Sequence, residues 1–99
     1  MQDRWVLKTG SQLLGLLTFK EQDQPWVICH FQAEPAFAKY ESYFKEELRL
    51  LGLDDLISWE QSYSAIDDLG LVLEPVNQEE EKIPVFILHI MGDEAWFRR

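Results

Sequence analysis

Apolar and polar side chains alternate with the period of a β-strand in the first third of the chain. The alternation predicts strands at 5–8, 12–19 and 26–32. The polar segment 20–25, which ends in proline, is predicted to be a loop. Gly15 lies inside the second strand, where a glycine indicates a β-bulge or a close approach of another part of the backbone. The first third is therefore predicted to be a β-meander.

Helical spacing replaces this alternation in the middle of the chain. A first helix is predicted to begin at Glu34-Pro35, because proline suits the first helical position, and to end at Gly52. A second helix follows Asp54-Asp55, whose carboxylates favour a helix N-terminus, and ends at Gly70. The core-facing positions are predicted to be Phe37, Tyr40, Phe44, Leu48 and Leu51 in the first helix, and Leu56, Trp59, Tyr63 and Ile66 in the second.

Period-two segments return in the last third and predict strands at 71–73, 83–91 and 94–98. The segment 76–82 carries three consecutive glutamates and is predicted to be a solvated loop. Gly92-Asp93 fits a two-residue type II′ hairpin turn. The element order is therefore βββ-αα-βββ within one domain spanning 1–99. This order predicts an α+β fold, with an antiparallel sheet carrying the helical pair on one face.

The hairpin turn fixes which side chains share a face of the sheet. It places His89 opposite Trp96, and both lie on the face away from the residues that must be core. The third strand repeats the pattern, with Cys29 pointing inward between outward-facing neighbours. The candidate binding residues on the outer face are Trp26, His30, His89, Glu94, Trp96 and Arg98.

An outer face that carries two tryptophans and two isoleucines is expected to be covered, and three covers are open. The sheet could curl into a partly closed barrel, which would make this face a second core. A second subunit or a protein partner could pack on it. A small ligand could occupy a cleft, in which a histidine would act as acid or base and Arg98 would hold an anionic group.

The formal net charge of −9 narrows the classes of partner. Such a field repels phosphate backbones and anionic membrane surfaces, so neither nucleic acid nor a membrane is predicted as a partner. No apolar stretch approaches the length of a membrane-spanning helix, and no signal peptide is predicted. The single cysteine cannot form an intramolecular disulfide, which fits a reducing cytosol.

The chain carries no recognisable catalytic or cofactor motif. A zinc site needs about four Cys, His or carboxylate ligands, and the sequence offers Cys29, His30 and His89 without any metal-ligand spacing. A site built by His30, His89 and a carboxylate could form only through the fold. Neither a nucleophile elbow nor a phosphate-binding glycine loop is present, so no cofactor and no catalytic residue are predicted.

The C-terminal run LHIMGDEAWF at 88–97 resembles a group of small bacterial proteins to which no activity is assigned. Pro35-Ala36-Phe37 and the EELRLL segment at 46–51 are similar to the same group. The resemblance implies a bacterial, cytoplasmic protein and transfers no functional residue.

Together these patterns favour a non-enzymatic binding or assembly module, such as a homodimer or a protein that binds another protein. The alternative is a small enzyme or ligand-binding protein that uses the His/Trp/Arg face of the sheet. The two differ in geometry. An enzyme needs a concave site with a histidine and a carboxylate within hydrogen-bond reach, whereas an interface needs a flat apolar patch with a polar rim.

Overall fold

A computed structural model describes residues 3–77, 83 and 86–98. Within these residues, six strands and two α-helices follow the predicted order βββ-αα-βββ, with a short 3-10 helix at Pro35–Lys39 before the first α-helix. The strands are β1 Arg4–Thr9, β2 Gln12–Asp23, β3 Trp26–Ala33, β4 Leu71–Pro75, β5 Ile87–Met91 and β6 Glu94–Arg98. The helices are α1 Glu41–Gly52 and α2 Leu56–Asp67. The predicted α+β fold is confirmed.

The strands form one antiparallel sheet in the order β4-β1-β2-β3-β6-β5, and the sheet curls into a half-barrel. The curl is visible across its concave side. Trp5 of β1 and Phe97 of β6 lie three places apart in strand order, yet their ring centroids are 5.2 Å apart in an edge-to-face contact. Such a contact requires the two strands to bend toward each other, which confirms the partly closed barrel.

Two irregularities in β2 help to bend the sheet. Leu7 pairs with Gly15 and Lys8 with Leu13, which leaves Leu14 as an extra residue. A second shift lies between Phe19 and Glu21 on the side facing β3. An extra residue in one strand bends that strand and increases its twist.

Gly15 occupies the close approach that the sequence predicts. A Cβ atom at this position would lie 2.5 Å from a ring carbon of Phe31, which is far inside van der Waals contact. The ring therefore packs directly on the glycine backbone, and no larger side chain fits there without displacing it.

The hairpin of β5 and β6 has the predicted register. Met91 pairs with Glu94 and His89 with Trp96, across a two-residue turn. Gly92 takes a φ of 64°, as the first central residue of a type II′ turn requires. The prediction of which side chains face the core is also confirmed, because Leu88, Ile90, Ala95 and Phe97 are all buried.

Two predicted boundaries are wrong. The segment 20–25, predicted to be a loop, is mostly strand, because β2 continues to Asp23 and pairs with the start of β3. The turn consists of Gln24-Pro25, whose peptide bond is cis. Cross-strand pairing at the sheet's margin accommodates polar residues that composition alone assigns to a loop. The strand at 83–91 begins only at Ile87, and Ile83 forms an isolated bridge with Leu73. Pro84 and the predicted loop residues 78–82 lie outside the described residues.

The buried side of α1 differs from the predicted one. Phe44, Glu47 and Leu50 are buried, whereas Leu48 is half-buried and Leu51 is exposed. The buried stripe is thus rotated around the helix axis away from Leu48 and toward Glu47, for a reason given by the contacts of that carboxylate below, and Leu51 lies at the end of the helix. In α2, Tyr63 and Ile66 are buried as predicted and Trp59 is half-buried, but Leu56 is exposed.

The helices cover the edge of the sheet at β5. The Tyr63 hydroxyl accepts a hydrogen bond from the Leu88 backbone N–H at 2.6 Å and lies 3.4 Å from the Leu88 carbonyl oxygen, to which it donates. These backbone groups would otherwise be open for pairing with another strand. Burial raises the pKa of Tyr63, so the hydroxyl keeps the proton that it donates.

We predict that Gly15→Ala destabilises the protein by about 1–3 kcal/mol, because the added methyl group must displace the Phe31 ring. The matched control is Gly52→Ala at the end of α1, where a Cβ meets nothing within 4 Å. Chemical denaturation of both variants measures the difference. Equal unfolding midpoints for the two variants would show that Phe31 does not pack on Gly15.

Candidate functional site

Four of the six predicted site residues line one cleft on the outer face of the sheet. These are Trp26 of β3, His89 of β5, and Glu94 and Trp96 of β6. The cleft has a volume of about 310 Å³, and Asp23, Ile28 and Leu51 complete its lining. We call it the tryptophan cleft. The sequence did not identify Asp23 as a site residue, and it assigned Leu51 to the core.

His89 lies between the two tryptophans of the cleft. Its ring centroid is 5.3 Å from that of Trp26 and 5.4 Å from that of Trp96. Only 3% of His89 is exposed, although it lies on the outer face of the sheet, because α1 and α2 fold over this end of β5. Trp26 and Trp96 remain half-buried, so the cleft keeps an open side.

The carboxylate of Glu47 is the partner of His89, and the sequence analysis missed it. Glu47 is fully buried, and its Oε1 lies 2.7 Å from His89 Nδ1. Its Oε2 accepts a hydrogen bond of 2.8 Å from Trp59 Nε1 of α2. One signal was available, because Glu47 lies three residues after Phe44 and three before Leu50, on the helix face that both of them bury.

This contact restricts the hydrogen-bonding role of the imidazole. An ionised carboxylate only accepts hydrogen bonds, so the tautomer of His89 that fits an ionised Glu47 carries its proton on Nδ1 and donates it to Oε1. In the neutral ring, the lone pair then lies on Nε2, the nitrogen that Glu47 does not occupy. His89 lines the tryptophan cleft, and in this neutral tautomer its Nε2 is a hydrogen-bond acceptor.

The remaining two predicted site residues, His30 and Arg98, do not line the cleft. His30 is exposed and lies beside Glu94 on the neighbouring strand. Arg98 is exposed, and its guanidinium carbon lies 5.9 Å from the ring centroid of Trp26. Arg98 instead lines a neighbouring cleft of about 410 Å³ beneath α2.

Cations of the chain itself approach the tryptophan cleft at its margin. The Lys20 ammonium lies 3.3 Å from Glu94 Oε2, and the Arg98 guanidinium lies near the ring of Trp26. Asp23, the other carboxylate that lines the cleft, is exposed. The margin of the cleft therefore presents negative charge and aromatic rings. Lys20 contacts one of the carboxylates, and Arg98 lies against one of the rings.

Cys29 lies apart from this chemistry. Cys29 points inward as predicted, is fully buried, and its pKa is raised by burial to about 12, so the thiol is neutral near pH 7. Among the residues that the structure describes, no three or more His, Cys, Asp or Glu side chains are grouped so that they could hold a metal ion.

We predict that Glu47→Ala destabilises the protein by about 3–5 kcal/mol, because it leaves His89 and Trp59 without their buried acceptor. The control is Glu46→Ala on the same helix. Glu46 is exposed and paired with Arg49 at the surface, so its removal should leave the unfolding midpoint almost unchanged. Urea denaturation compares the two variants. A similar small effect of both would contradict the buried network.

We further predict that Glu47→Gln changes the tautomer of His89. The glutamine oxygen can still accept from Trp59, and its amide group then donates to Nδ1, which moves the imidazole proton to Nε2. Nitrogen-15 chemical shifts of the two ring nitrogens measure the tautomer at neutral pH. The exposed His30 is the internal reference and should not change. A His89 ring that is Nε2-protonated in the unaltered protein would contradict the assignment.

Comparisons of the chain with protein-family models, with curated proteins and with solved structures gave no match. Within the described residues, no helix combines the length and the apolar character needed to cross a membrane.

Proposed function

We propose that the tryptophan cleft binds a cationic group that carries N–H donors, such as the ammonium of a small amine or the side chain of a lysine or arginine. The protein is then a non-enzymatic binding module. The observation that carries this proposal is the grouping of two tryptophans, two carboxylates and an oriented histidine around one cleft.

The aromatic rings supply the first part of the argument. Trp26 and Trp96 flank His89, and tryptophan attracts a cation above its face more strongly than tyrosine or phenylalanine does. Arg98, which lies 5.9 Å from the Trp26 centroid, is an intramolecular example of that attraction. A ligand cation in the cleft would gain the same interaction from a partly desolvated position.

Charge supplies the second part. Asp23 and Glu94 both line the cleft, whereas no lysine or arginine does among the residues that the structure describes. The net charge of −9 adds a long-range field that attracts cations. The earlier alternative, in which Arg98 holds an anionic group, is less well supported because an anion in this cleft would meet two carboxylates.

The histidine narrows the class of cation. With Nδ1–H donating its hydrogen bond to Glu47, the neutral ring of His89 has its acceptor at Nε2, which favours an ammonium or guanidinium N–H over a quaternary ammonium. Ile28 and Leu51 provide apolar surface for the carbon atoms attached to that group.

A second function, acid–base catalysis at His89, is favoured by one observation. The Glu47–His89 contact of 2.7 Å adjoins a cleft, which is how a carboxylate orients a catalytic histidine. Within the described part of the chain, the lining contains neither serine nor cysteine, so such a reaction would have to activate water or a group of the ligand itself. Mass spectrometry of recovered ligand separates the two functions, since a binding module returns it unaltered.

The proposed function predicts that Nα-acetyl-lysine amide shifts the indole N–H resonances of Trp26 and Trp96 in a saturable NMR titration. Its Nε-acetylated counterpart, which lacks the charge, should bind at least about tenfold more weakly because it loses the cation–π and carboxylate interactions. Trp96→Ala and Glu94→Gln should each weaken binding, whereas Tyr43→Ala, which removes an exposed aromatic ring outside the cleft, should not.

Arg98→Gln decides between a cationic and an anionic ligand. Removing the guanidinium frees the Trp26 ring and makes the protein more negative, so the affinity for lysine amide should rise by about two- to fivefold. If the same substitution instead abolishes binding of an anion such as acetate while lysine amide does not bind, the cation proposal is wrong.

A further inference from the structure

Four large aliphatic side chains are exposed within seven residues, at the junction of α1 and α2. Leu51 is 39% exposed, Leu53 64%, Leu56 56% and Ile57 76%. We call these four residues the aliphatic patch. A single exposed leucine is ordinary on a protein surface, but a contiguous group of this kind marks an interaction site.

The junction holds these side chains outward through its own hydrogen bonds. Leu53 ends α1, and its backbone N–H contacts the Arg49 and Leu50 carbonyls. Asp54 adopts a positive φ of 57°, which reverses the chain. The Asp55 side chain then accepts a hydrogen bond of 3.1 Å from the Ser58 N–H and begins α2. The exposure of the patch is therefore built into a capped turn.

The aliphatic patch continues into the tryptophan cleft. Leu51 belongs to both, because it lines the cleft beside His89 and is also the first residue of the patch. A molecule whose cationic group occupies the cleft would therefore meet aliphatic surface at the α1–α2 junction. A small amine would leave that surface uncovered, whereas a polypeptide segment would extend onto it.

Charge indicates which partner fits. Asp54 and Asp55 lie within the patch, and hydrogen bonding from Ser58 holds the pKa of Asp55 below its usual range, so it stays ionised. Asp23 and Glu94 lie at the adjoining cleft. A second copy of this chain also carries −9 and would be repelled, whereas a basic segment is attracted.

We infer that the aliphatic patch and the tryptophan cleft together bind a basic segment of another protein, in which a lysine or arginine is flanked by aliphatic side chains. The cationic side chain enters the cleft, and the aliphatic side chains cover Leu53, Leu56 and Ile57. This inference rests on the proposed function for the cation and adds the class of partner.

Two labelled peptides and two variants test it by fluorescence anisotropy. One short amidated peptide contains leucine and lysine, and the second has serine in place of every leucine. We expect the leucine peptide to bind at least about tenfold more tightly to the unaltered protein. The double variant Leu53→Ser/Ile57→Ser should remove that difference, while Leu13→Ser, an exposed leucine on β2, should leave it unchanged.

The outcomes separate this inference from the proposed function. The double variant should still bind Nα-acetyl-lysine amide with unchanged affinity, and circular dichroism should show an unchanged fold. Equal binding of both peptides, or equal effects of the double variant and Leu13→Ser, would overturn the inference and leave the cation site intact. Failure of lysine amide to bind the unaltered protein would overturn the proposed function. A dimer that the double variant converts to a monomer in sedimentation would assign the patch to a second copy and also overturn the inference.

Discussion

The carboxylate of Glu47 joins the three elements that form one end of the molecule. It lies on α1, accepts a hydrogen bond from Trp59 of α2, and contacts His89 of β5. A carboxylate removed from water is tolerated only where its oxygens find donors, so the position of α1 depends on both partners. Because the two contacts use different oxygens, they restrict the rotation of α1 as well as its distance from β5. The packing of the helices on the sheet edge follows from that restriction.

A curled sheet that does not close has two edge strands, whose outward-facing backbone groups need hydrogen-bond partners. In this chain both edge strands, β5 and β4, have such partners. Tyr63 satisfies the outward-facing backbone groups of Leu88 on β5, and Ile83 bridges to Leu73 on β4. The bulges in β2 help to produce the curl, and the helices occupy the side that the curl leaves open. Near β5 the helices enclose the outer face of the sheet from one side only. The result is the tryptophan cleft, where an uncovered sheet would present a flat surface.

The sequence predicts most of this fold because its strands follow a strict period of two. The register of the last hairpin follows from Gly92-Asp93 alone, and it places Trp96 opposite His89 before any tertiary contact is known. The side of α1 that is buried could not be predicted in this way. A glutamate normally indicates a solvated position, and its burial is favourable here because two distant residues contact the carboxylate, a tryptophan 12 residues and a histidine 42 residues later in the chain. The prediction that Leu56 is buried is wrong for a related reason. Its helical spacing fits the core-facing side of α2, but the core does not extend as far as the first turn of that helix.

The burial of Glu47 also accounts for the position of the aliphatic patch beside the tryptophan cleft. Leu51 lies one turn after Glu47 on the same side of α1. The contact between Glu47 and His89 therefore brings Leu51 to the edge of the tryptophan cleft, where its side chain is exposed. The helix ends there, and the turn that follows carries the rest of the aliphatic patch outward. A single buried carboxylate thus orients the histidine of the cleft and, through the rotation of α1, sets the aliphatic surface beside it.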